Sequence, residues 1–120
     1  MDMSGHADFA QLAEDLSPED VRRVLDVFAA DVRRLVGELN VAAGAGDVSA
    51  LKRVAHGLAG AAGAVGSKAL EQTCRAVMGR TDLNPGLLAP LAGRIDALAE
   101  MALADLAAFV AGLGGAPGRR

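Results

Sequence analysis

Apolar residues recur along this chain at spacings of three and four, and no stretch alternates convincingly with a period of two. That is the pattern of amphipathic helices, each with one stripe to bury. A short first element over 9–16 sets Phe9, Leu12 and Leu16 on one side, with Asp8 as its cap. Ser17-Pro18-Glu19-Asp20 then announces a long helix. Serine caps well, proline fits the first helical position, and acids suit the positive end of the helix dipole. Its stripe is Val21, Val24, Leu25, Phe28, Val32, Leu35, Val36 and Leu39, with Arg22, Arg23, Asp26, Arg33 and Arg34 opposite. It should stop near Gly44-Ala45-Gly46. Asp47 caps the next helix, which buries Leu51, Val54, Ala55, Leu58, Ala62 and Val65 and ends about Gly66. Ser67 opens a third long helix with Leu70, Thr73, Cys74 and Val77 inward, and Gly79 to Leu83 is a connector. Asn84-Pro85 reads as cap and first position of the last helix, whose stripe runs from Leu87 and Leu88 through Ile95 and Leu106 to Leu113. Pro90 lies close enough to its start to be tolerated.

Four such helices joined by short connectors can cover their stripes only against one another. The expectation is an all-α fold, an antiparallel four-helix bundle with a short additional N-terminal helix. Residues 1–7 are expected to be a flexible N-terminus, 8–113 the bundle and 114–120 a disordered Gly/Pro-rich tail.

Composition narrows the function. The chain has 120 residues, 52% of them hydrophobic, which is enough for one domain and one core. Only three residues are aromatic, all Phe, so the core must be Leu, Val and Ala. Net charge is −3, with both signs interspersed. Without a concentrated basic patch or stacking aromatics, a nucleic-acid partner is not expected. Cys74 is the only cysteine and falls on an inward stripe, so it reads as a small buried hydrophobe. The two histidines, His6 and His56, are far apart, and no metal site or cofactor is expected. No apolar run approaches the length of a membrane span, and 1–7 does not read as a signal peptide, so a cytoplasmic location is the default. A phosphate-cradling glycine-rich loop is also missing, which argues against a self-contained kinase.

The residue that stands out is His56. It projects roughly 150° from the middle of its helix's apolar stripe, at about 100° per residue, and so faces solvent. Gly60 and Gly63 lie one and two turns on, with Gly57 and Ala59 beside them. Each glycine costs a helix up to about 1 kcal/mol. An exposed imidazole on a surface stripped of bulk suits presentation to another macromolecule.

The stretch from Asp47 to Met78 resembles the histidine-containing phosphotransfer (HPt) domain family. The resemblance rests on Ala55-His56-Gly57-Leu58-Ala59-Gly60-Ala61-Ala62, then Gly66, Leu70 and Cys74, preceded by Phe28, Leu35, Leu39 and Gly46-Asp47. It implies that His56 accepts a phosphoryl group from a receiver-domain aspartate and passes it to another receiver, as a carrier rather than an autonomous kinase. It also implies response-regulator receiver domains or a hybrid histidine kinase as partners, with a divalent metal held by the receiver. The sequence leaves the oligomeric state open, though an exposed His56 suits a monomer. Gly57, Ala59, Gly60 and Gly63 would form the docking surface. The family usually carries a lysine three residues after the histidine, where this chain has Ala59. Lys52, one turn before His56, is the leading replacement for that charge, with Arg53, Arg75 and Arg80 as others. The departure also leaves open a bundle that binds receivers without accepting phosphate, and, more remotely, a helical scaffold or dimerisation protein.

Overall fold

A computed structural model describes residues 14–115 of the chain. Four helices account for most of them: α1 (Pro18–Gly44), α2 (Val48–Ala64), α3 (Lys68–Met78) and α4 (Pro85–Gly115). No strand occurs among the described residues. Residues 14–16, the end of the expected N-terminal helix, form a turn. The rest of that element and the 1–7 terminus lie outside the described residues. So does 116–120; the expected tail begins later than Gly114, because α4 continues through Gly115.

The helix starts follow the capping residues. The Ser17 hydroxyl accepts from the Asp20 amide at 3.1 Å, with Pro18 at the first helical position and Glu19 and Asp20 in the first turn. The Asp47 carboxylate accepts from the Ala50 amide at 3.0 Å. Asn84 accepts from the Gly86 amide at 3.0 Å. Ser67 occupies the cap position of α3 but makes no side-chain cap bond, and it is buried. The ends of α1 and α2 repeat one device. Gly46 and Gly66 take φ of 67° and 76°, which a side chain would disfavour. The next amides then turn back, Asp47 to the Ala42 carbonyl at 2.9 Å and Ser67 to the Ala62 carbonyl at 2.8 Å.

Each helix packs on two main neighbours: α1 on α2 and α4, and α3 on α2 and α4, while α2 and α4 barely touch across the bundle. The centre is Leu25, Val32, Leu39, Leu51, Leu58, Leu70, Leu88 and Ile95, all fully or almost fully buried. Asn40 on α1 donates to Asp96 on α4 at 3.2 Å, tying the outer edge of that pair. Pro90 leaves α4 unbroken, as expected so near the helix start.

One position of the expected stripe departs. Val24 is exposed, and its neighbours Leu16 and Val27 are exposed with it. The cause is helix length. Gly57 on α2 meets the Leu35 side chain on antiparallel α1, so α2, ending at Ala64, reaches only to about the level of Phe28. Val24 points toward where α2 would lie if it were a turn longer.

Candidate functional site

His56 stands near the middle of α2 and is exposed, with Leu51, Val54, Ala55 and Leu58 buried on the far side. No hydrogen bond or ion pair engages its imidazole among the described residues. The ring nitrogens are therefore open to solvent and to an incoming group.

The surroundings divide into two flanks. On the α1 side, a Cβ built on Gly57 would stand 3.3 Å from a Leu35 methyl, so this glycine lets α1 and α2 approach. Arg53 lies on the same side and is exposed. It lines a cleft of about 580 Å³ with Arg34, Glu38, Val41 and Val54. On the α3 side, Ala59 is only 1% exposed. That corrects its placement on the docking surface: at about 60° from His56 around the helix it turns into the α2–α3 contact. Gly60 is open, with nothing within 4 Å of a built Cβ. Gly63 is exposed but backed by α3, since a built Cβ would meet a Glu71 carboxylate oxygen at 3.0 Å. The expected free surface therefore shrinks to Gly60 with the rims of Gly57 and Gly63.

The candidate cations are differently engaged. Arg75 is held by Glu71 on its own helix, its Nε at 3.0 Å from Oε2. Glu71 lies against Gly63, two turns beyond His56. Arg80 follows the end of α3 and is clamped by Asp82 through two bonds of 2.8 and 2.7 Å. Those bonds hold the Asp82 carboxyl below the usual carboxylate range, with Lys52 adding attraction. Lys52 itself donates from Nζ to the Arg80 carbonyl oxygen. Lys52, Arg80 and Asp82 thus form one linked group at the α3–α4 connector. Arg53 and Arg75 stand apart from it. Sequence reasoning missed Asp82 and Glu71, although Glu71 and Arg75 at a spacing of four signal a pair on a helix.

Cys74 is fully buried, and burial pushes its thiol up to about 12. It is a core residue without access to the site. Among the described residues no group of three or more His, Cys, Asp or Glu is placed to hold a metal. None of the described helices is long and apolar enough to cross a membrane.

The Hpt domain profile matches residues 23–108, well over half of the chain, from the first turns of α1 almost to the end of α4. The chain belongs to the Hpt domain family. Domains of this family act in histidine phosphotransfer within phosphorelay signalling, and they interact with receiver domains and histidine kinases. Neither curated proteins nor solved structures gave a match to the chain. In this Hpt domain the helical bundle presents a single described histidine, on the outer ridge of α2.

Proposed function

We propose that this Hpt domain is a phosphoryl carrier that accepts a phosphoryl group on His56 from the aspartate of a receiver domain and yields it to another receiver. The observation that carries the reading is an exposed imidazole, without a bonding partner among the described residues, midway along α2 of a chain in this family. A neutral imidazole nitrogen is a nucleophile that can carry a group covalently. In the transfer, a ring nitrogen forms a bond to phosphorus as the P–O bond to the aspartate breaks. The carboxylate leaves, and the ring retains the proton on its other nitrogen until solvent removes it. The receiver brings the acyl phosphate and a divalent metal; this chain supplies position and a rigid ridge. Gly60 leaves the approach to that ridge open. No cofactor of its own is needed for these steps, and a cytoplasmic monomer suits a shuttle between receivers.

The test is transfer from phosphorylated receiver domains to the wild-type protein and to His56→Gln. Label should appear on wild type and not on the variant, while thermal unfolding of the two stays alike because His56 lies outside the core. Labelling of His56→Gln at the wild-type level overturns the assignment. Tight receiver binding without labelling of wild type would favour a receiver-binding regulatory bundle, the reading that the missing lysine at Ala59 motivates.

A further inference from the structure

A phosphoryl group on His56 brings about two negative charges to the outer ridge of α2, and Ala59, buried against α3, offers nothing to neutralise them. We propose that the linked group Lys52–Arg80–Asp82 is the phosphoryl-binding site of this domain, with Lys52 as the contacting cation and Asp82 as the residue that limits its strength. This rests on His56 being the phosphoacceptor.

Three observations select this group. The first is direction. Side chains on a helix lean toward its N-terminus, so the imidazole covers the turn that contains Lys52 and Arg53 rather than the turn beyond. Lys52 lies about 40° around α2 from His56, on the flank of the ridge that faces α3. Glu71, the carboxylate that holds Arg75, lies the other way, against Gly63.

The second is anchorage. The Lys52 ammonium is held by the Arg80 carbonyl, which uses one of its three protons and leaves two for phosphoryl oxygens. The carbonyl also relieves the rotamer cost of fixing a long side chain when the phosphoryl group arrives. Arg53, by contrast, turns to the α1–α2 cleft.

The third is charge. Lys52 and Arg80 against Asp82 leave one net positive charge, whereas Arg75 against Glu71 leaves none. Asp82 competes with a phosphoryl group for both cations, so removing its charge should strengthen the site. A merely structural role for Asp82 predicts the opposite.

The test uses phosphoramidate, which needs no receiver. A ring nitrogen bonds to phosphorus, the P–N bond of the donor breaks, and ammonia leaves. The rate of phosphohistidine formation and its half-life would be followed by phosphorus NMR for wild type, Lys52→Met, Asp82→Asn, Arg75→Gln and His56→Gln, each checked for folding by circular dichroism. Lys52→Met should form phosphohistidine more slowly by up to about fivefold, the factor that matches an exposed charge interaction. Asp82→Asn should form it faster, and Arg75→Gln should match wild type. If His56→Gln gains as much phosphohistidine as wild type, the phosphoacceptor reading fails. If wild type is phosphorylated on His56 but Lys52→Met and Asp82→Asn behave like wild type, or Arg75→Gln loses as much as Lys52→Met, that reading stands and the site proposed here is wrong.

Discussion

Gly60→Leu separates stability from function on α2. Gly60 lies in the helix interior, exposed, with nothing within 4 Å of a built Cβ. Leucine exceeds glycine as a helix former by up to about 1 kcal/mol, so the variant should be more stable by roughly that amount. For a domain of this size the melting temperature should rise by up to about 4 °C. The new side chain, however, leans toward the N-terminus of α2, back over the turn that carries His56. A partner docking there would meet it as an overpacked contact, which costs about 1–3 kcal/mol. Transfer from a phosphorylated receiver should therefore slow by about fivefold to about 150-fold. Thermal unfolding by circular dichroism and single-turnover transfer would be measured on the same preparations. Gly57→Leu is the internal contrast: its side chain would collide with Leu35, so stability should fall rather than rise. A destabilised Gly60→Leu would refute the claim of an open surface. A stabilised variant with wild-type transfer would show that no partner docks over Gly60.

Asp47→Ala removes the carboxylate that caps α2 and should cost about 1 kcal/mol in urea unfolding without changing transfer, since the cap lies more than two turns from His56. Cys74 predicts an alkaline effect. An unfolded thiol releases its proton near 9, the folded one only near 12, so between these the folded state binds more protons. Stability is complete below about pH 9 and falls as pH rises toward 12, by up to about 1.4 kcal/mol per pH unit from this group. Urea unfolding of wild type and Cys74→Ala from about pH 8 to about pH 11 should show this slope in wild type and its loss in the variant.

The helices, their starts and their stops were legible in the chain because each is a local matter. Ser17-Pro18, Asp47 and Asn84-Pro85 cap or open helices through bonds to amides two or three residues away, and Gly46 and Gly66 end helices through their own φ. The exposure of His56 was legible for the same reason, since it follows from its angle to one apolar stripe. What the tertiary structure decided is everything that depends on where a neighbouring helix begins, ends or passes. Val24 belongs to the stripe but is left uncovered because α2 stops too soon. Ala59 sits beside His56 on a helical wheel yet is sealed by the α2–α3 contact. Lys52, Arg53 and Arg75 look alike as charges near a histidine. Only the packing sends Lys52 to the α3–α4 connector and Arg53 to the α1–α2 cleft, whereas Arg75 pairs with Glu71 on its own helix, as their spacing of four already signals. A long flexible side chain is fixed by the partner it finds across space, and that partner is set by the register of helices far apart in sequence.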